Sequence, residues 1–113
     1  RMAEPQLYGD IIIARKDIPT SYNLAVTIDD FQQNISIVSR GLDLYPATSI
    51  HLLLQIIFNF NEPQWFHHNL LRDKNGFKLS KSSKSTSIES YREDGFTPEQ
   101  IIELIEHKEN FPI

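Results

Sequence analysis

The sequence contains no cysteine. That excludes a disulfide framework, a thiol nucleophile and every zinc site built with thiolates. No apolar run approaches the ~18–20 residues of a membrane span, and the start, RMAEPQLYGD, carries no signal-peptide core. A soluble cytoplasmic protein with no membrane partner is the expectation. An excess of positive charge is missing too: 11 Lys and Arg stand against 15 Asp and Glu, for a net charge of −4. The chain as a whole is therefore no basic magnet for nucleic acid.

What is present suits one globular domain, residues 1–113: 40% hydrophobic, 11% aromatic and 23% charged. A chain of this length hides roughly 65% of the surface it exposes when unfolded, enough for a core. The charges are placed unevenly. Five basic residues, Arg72, Lys74, Lys78, Lys81 and Lys84, share their stretch with one acid, Asp73. From Glu89 to Glu109, seven acids face only Arg92 and Lys108. A local positive site is hidden in the average.

Hydrophobic patterning predicts alternating strands and helices, an α/β chain. Ile11–Ala14 reads as a strand, Tyr22–Ile28 as a second, Ile35–Ser39 as a third and Trp65–Leu71 as a fourth. Asp29-Asp30 read as the end of the second strand. Ile50, Leu53, Leu54, Ile57 and Phe58 follow helical spacing, with Pro46 in the first turn and a stop over 59–63. Asn75-Gly76 predicts a reversal, and residues 78–88, rich in Ser and Lys, read as a loop. Thr97-Pro98-Glu99-Gln100 is a helix start with a capping-box spacing, and Ile101, Leu104 and Ile105 form its apolar stripe.

The sharpest string is Lys78-Leu79-Ser80-Lys81-Ser82. Two mobile point charges three residues apart, with hydroxyl donors between them, suit a polyphosphate. Such cations stabilise charge that builds up in nucleotidyl transfer. From composition alone the string reads first as a solvated Ser/Lys linker.

The flanking strings are GDIIIARKD, SYNLAVTIDD, ISIVSRGLDLYPATSIHLLLQ and HHNLLRDKNGFKLSKS. In order and spacing they resemble the catalytic core of glutamyl-tRNA synthetases over residues 8–105, with KLSKS similar to the second class I signature. They look most like the short paralogue that joins glutamate to the queuosine base of tRNA(Asp). Where glutamyl-tRNA synthetases usually continue with Arg-His-Gly, this chain has Ser82-Ser83-Lys84. That departure and the His67-His68 pair favour the queuosine-directed paralogue.

The resemblance implies the second half of a Rossmann-like class I catalytic domain, with the lysine loop and a C-terminal helix. It implies that Tyr22 and Arg40 contact glutamate, a guanidinium being able to hold a carboxylate with two parallel bonds. It implies that Lys78, Ser80 and Lys81 act on ATP, with Lys81 the ATP-contacting lysine. ATP as co-substrate, Mg²⁺ accompanying it, glutamate and tRNA follow as expected partners. The residues' own alternatives are a strand tyrosine half-buried in a sheet and a surface arginine at a strand end. Asp29, Asp30 and Asp43 are expected in turns.

No metal site is expected, because the four histidines show no zinc spacing. His51, on the flank of the apolar helix face, reads as a neutral packing or hydrogen-bonding group. His67 and His68 point to opposite faces if their stretch is a strand.

The first class I signature, a His-x-Gly-His-like string, is not found, and none of the four glycines lies in one. With Arg rather than Met at position 1, the expectation is a fragment, the later part of a catalytic domain, inactive in glutamate activation alone. Strands deprived of neighbours invite self-association through a sheet edge. The other readings are a fragment of a glutamyl-tRNA synthetase charging tRNA(Glu) and a non-catalytic RNA- or nucleotide-binding domain that stands alone.

Overall fold

The computed structural model describes residues 3–80 and 86–106, in two compact units that divide after His68. Each unit is taken by itself.

The first unit opens with a 3-10 turn, Pro5–Tyr8. The expected strand over Ile11–Ala14 does not form. Its backbone closes a local loop instead: Ser21 N–H donates to the Ile13 carbonyl at 2.8 Å, and Arg15 N–H to that of Ile18 at 2.9 Å. Ile12 and Ile13 stay exposed at 67% and 40%, so no buried face rewards a strand there.

The second expected strand is a helix, α1 (Tyr22–Gln32). Val26, Thr27 and Ile28 give it β-branched content, which suggested a strand. Two local contacts favour the helix. The Ser21 hydroxyl caps its start by accepting from Leu24 N–H at 3.3 Å, and Thr27 Oγ1 bonds back to the Asn23 carbonyl at 2.8 Å. Asp29 and Asp30 lie inside α1 and do not end a strand. Beyond α1, Asn34 takes a left-handed conformation, φ 53°, which turns the chain.

Strand β1 (Ile37–Gly41) begins two residues later than the spacing predicts. A 3-10 turn, Leu42–Leu44, which contains Asp43, leads into α2 (Tyr45–Phe58), with Pro46 in its first turn. Asn59 ends α2 in the left-handed region, φ 56°, and Phe60 N–H returns to the Gln55 carbonyl at 2.9 Å. Strand β2 (Gln64–His68) then pairs with β1 in parallel, from Ile37 opposite Gln64 to Gly41 opposite His68. Parallel partners need a crossover, and α2 supplies it. The result is a β-α-β unit with α1 packed on α2; Phe31 and Phe60 stack at 3.8 Å between ring centroids.

The face α2 buries is displaced from the one its spacing predicts. Ile50 and Leu54 are buried, but Leu53, Ile57 and Phe58 are 40%, 65% and 42% exposed. Three polar residues, Ser49, His51 and Gln55, are buried on α2 instead.

In the second unit, the reversal at Asn75-Gly76 is as expected. Asp73 N–H donates to the Phe77 carbonyl at 2.8 Å, and Gly76 has φ 82°, a conformation that costs glycine little. A short helix, α3 (Ile88–Glu93), follows where the sequence suggested only loop up to residue 88. Ser87 caps it, its Oγ accepting from Ser90 N–H at 3.1 Å. Helix α4 (Pro98–Glu106) begins with the reciprocal capping box: Thr97 N–H to Gln100 Oε1 at 2.9 Å, Gln100 N–H to Thr97 Oγ1 at 3.3 Å. Tyr91 is buried, edge-on to Phe96 at 5.2 Å.

Candidate functional site

Residues alternate sides along β1, and Val38 and Arg40 take the more buried side. Arg40 therefore carries its guanidinium inward at the carboxyl end of a parallel strand, 8% exposed. It is not the surface arginine that its place at a strand end suggested. In open α/β sheets ligands bind beyond the carboxyl ends of the strands.

The partners of this buried cation are unusual for an arginine. Nη1 lies 2.9 Å from Nδ1 of His51, and the guanidinium carbon stands 4.9 Å from the centroid of the Trp65 ring. The ion pairs among the described residues are Arg15–Asp17 and Glu89–Arg92; Arg40 has no carboxylate within ion-pair distance there. Burying an unpaired charge is costly. The indole face and the imidazole lone pair compensate part of that cost.

His51 is fully buried, at 0% exposure, and its second ring nitrogen lies 2.8 Å from Asn23 Oδ1. Guanidinium has donors only, so Nδ1 must supply a lone pair, and the single ring proton sits on Nε2, donating to Asn23. Burial first, then the Arg40 charge, pushes the imidazole down to about 4 from 6.5. The expectation of a neutral hydrogen-bonding histidine is met.

Tyr22 opens α1, 55% exposed, its ring centroid 5.7 Å from that of His51. It is a helix-start residue, not the half-buried strand tyrosine. The structure thus gathers Tyr22 and Arg40 around His51. On β2, His67 and His68 face opposite ways: His67 is half-buried, with Nε2 2.8 Å from Thr48 Oγ1 and its ring edge-on to Tyr45, while His68 is exposed. Burial, then Arg40 and His68, lowers the His67 pKa.

Lys78 and Ser80 belong to the second unit. Lys78 pairs antiparallel with Arg72 across the hairpin, and Leu79 N–H donates to the Leu71 carbonyl at 3.0 Å. Asp73 Oδ1 holds the turn by accepting from Asn75 N–H at 2.8 Å and Phe77 N–H at 2.9 Å. The leading half of the lysine string is therefore set on an ordered hairpin. Lys81 and Ser82 lie outside the described residues.

Sequence reasoning missed Trp65 as a neighbour of Arg40 and Asn23 as the partner of His51. It gave His51 a neutral packing or hydrogen-bonding role and named no partner for it. The signal available was the spacing of two polar residues, His51 and Gln55, four apart in the apolar run over 50–58.

The family model for the catalytic domain of class I tRNA synthetases (E and Q) matches residues 2–108. Over 97 residues the chain is 40% identical to a glutamyl-Q tRNA(Asp) synthetase of Rhodobacter capsulatus, covering 86% of this chain and 35% of that protein. It is equally 40% identical over 97 residues to glutamate–tRNA ligase 2 of Syntrophus aciditrophicus, covering 86% of this chain and 20% of that protein. A solved glutamate tRNA ligase of Elizabethkingia meningosepticum, in complex with its amino acid, superposes with a TM-score of 0.68 at 28% identity, covering 85% of this chain and 23% of that one. The chain thus spans about a fifth to a third of the relatives it matches.

Proposed function

We propose, for a chain that belongs to the catalytic-domain family of the class I tRNA synthetases (E and Q), that it serves ATP-dependent activation of glutamate and its transfer to the queuosine base of tRNA(Asp). The observation that carries this reading is Arg40: a buried guanidinium at the carboxyl end of β1, with no carboxylate within ion-pair distance among the described residues. An anionic ligand would complete its compensation, and a carboxylate fits its planar fork with two charge-assisted bonds. Arg40 is assigned to a glutamate carboxylate, and the Tyr22 phenol to the same substrate.

In activation, a carboxylate oxygen of glutamate attacks the α-phosphorus of ATP, and pyrophosphate leaves. Lys78, Ser80 and Lys81 are assigned to the leaving group, whose growing negative charge they stabilise without covalent participation. Glutamate then passes from the adenylate to a hydroxyl of the acceptor, releasing AMP. Mg²⁺ is expected to travel with the triphosphate oxygens, keeping several of its waters. Among the described residues no three His, Asp or Glu side chains converge to hold an ion, so no step is assigned to a protein-bound metal.

The queuosine-directed acceptor is supported by the glutamyl-Q tRNA(Asp) synthetase relative and by Ser82-Ser83-Lys84 after the second lysine. A second reading, charging of tRNA(Glu), is favoured by the equal identity to a glutamate–tRNA ligase. The test uses the whole product of the gene that encodes the chain, labelled glutamate, ATP and three acceptors: tRNA(Asp) with queuosine, tRNA(Asp) without it, and tRNA(Glu). Label on queuosine-containing tRNA(Asp) alone is the expected result. Label on tRNA(Glu) transfers the assignment to the second reading. Absence of glutamate-dependent ATP–pyrophosphate exchange by that product overturns both in favour of a non-catalytic nucleotide- or RNA-binding domain.

A further inference from the structure

We infer that His51 is a positioning residue: a neutral acceptor fixed in one tautomer, it aims the Arg40 guanidinium at the ligand's carboxylate without cancelling its charge. This rests on the reading of Arg40 as a carboxylate-binding residue.

The connection runs through three elements. Asn23 on α1 accepts from His51 on α2 at 2.8 Å, and His51 accepts from Arg40 on β1 at 2.9 Å. Asn23 is itself fixed in the first turn of α1, where its carbonyl receives the Thr27 hydroxyl at 2.8 Å. Each polar atom in this path has the complementary role, so reversing any one leaves two donors facing each other in a dry site.

The choice of imidazole is chemically specific. A carboxylate at position 51 would accept the same bond but would also neutralise the guanidinium, leaving less charge for a substrate. An apolar side chain would leave the charge intact but the fork free to rotate. Neutral imidazole supplies the acceptor and no charge. One Nη1 donor is used on His51, and the remaining edge of the fork stays available for a bidentate contact.

The groups that face this path come from every packed element. Tyr22 on α1 lies 5.7 Å and Trp65 on β2 6.0 Å from the His51 ring, measured between centroids. His67 on β2 and Asp30 on α1 both respond to the Arg40 charge. The imidazole has no carboxylate against it among the described residues, so nothing there favours its protonated form.

The experiment compares the 113-residue chain with His51→Gln, His51→Leu and Asn23→Leu, using L-glutamate as the probe and amide NMR fingerprints to verify folding. Gln offers an acceptor and a donor in the places of Nδ1 and Nε2, so its glutamate affinity is expected within about threefold of the parent. His51→Leu is expected to weaken it about tenfold, the worth of one charge-assisted hydrogen bond. Asn23→Leu keeps the imidazole but frees its tautomer, with a loss of about threefold. Ring-nitrogen NMR of the parent should show the proton on Nε2. Parent affinity should fall more steeply than that of His51→Gln between pH 6.5 and 4, the direction in which His51 gains its proton.

Equal affinity in His51→Leu and the parent, or a proton on Nδ1, overturns the proposal. If the parent binds no glutamate, the carboxylate reading of Arg40 fails by itself. Positioning is then decided by the Arg40 side-chain resonances: hindered rotation in the parent and His51→Gln but not in His51→Leu supports it, and identical rotation in all three overturns it. If His51→Leu does not fold, Asn23→Leu decides, and an unchanged tautomer and affinity there overturn the proposal.

Discussion

Acid should destabilise this chain through one buried imidazole, and His51→Gln isolates the effect. The His51 pKa is 6.5 in the unfolded chain and about 4 in the folded one. Between those values the unfolded chain holds a proton that the folded chain refuses. His51 therefore contributes full stability above pH 6.5, and the contribution is lost as pH falls towards 4. The difference corresponds to roughly 3 kcal/mol, an appreciable part of the ~5–15 kcal/mol that holds a small domain together. Carboxylates titrate in the same range, which is why the comparison is made by difference. Urea unfolding of the parent and of His51→Gln, at intervals from pH 7.5 to 4, gives two curves whose separation reports position 51. The parent should lose about 3 kcal/mol more than the variant over that interval. Parallel curves, within about 0.5 kcal/mol of each other, would falsify the buried neutral imidazole.

Three further outcomes follow from local features. Thr97→Ala removes one arm of the capping box at the start of α4 and should cost about 1 kcal/mol, read as a lowered urea midpoint with faster amide exchange in 98–101. Asn59→Gly relieves a left-handed residue at the end of α2, φ 56°, and should raise stability by a few tenths of a kcal/mol; a loss would mean that the Asn59 side chain contributes more than its backbone costs. Ile37, Phe66 and Leu42, 61%, 61% and 49% exposed on or beside the two-stranded sheet, should drive concentration-dependent association, detected by light scattering; a monomer at millimolar concentration refutes it.

Local interactions were legible in the sequence, and distant ones were not. The capping box at Thr97 and Gln100 and the reversal at Asn75-Gly76 each complete their hydrogen bonds within three or four residues, and both form as read. The strands at Ile37 and Gln64 were found to within two or three residues, because each is a short alternating run. The helix at Tyr22 was misread: β-branched residues over 26–28 outweighed, on paper, a serine cap whose single bond fixes the start of α1. Ile11–Ile13 reads as a strand because a strand's apolar run and a loop's look alike; only a neighbouring strand could decide, and none pairs with it among the described residues.

The site separates along the same line. Tyr22 and Arg40 were expected at the site through resemblance to a family, a route that points to residues expected to face a substrate, and Lys78 and Ser80 through their own string as well. That route does not select residues that face those residues. The bond from Arg40 to His51 spans 11 positions and the one from His51 to Asn23 spans 28, distances over which no periodicity or propensity rule operates. What the sequence did contain was a conflict. A helix whose face should be apolar, to bury against α1, carries His51 and Gln55 on that face. Burying a polar side chain costs free energy unless partners are waiting; His51 finds them on other elements, whereas Gln55 Oε1 has none among the described residues. A neutral His51 ring needs one donor and one acceptor as partners, and a charged ring two acceptors. The chain supplies Arg40, which has no carboxylate within ion-pair distance among the described residues, and each residue accounts for the other: the arginine requires an acceptor, and the imidazole next to a cation has to remain neutral.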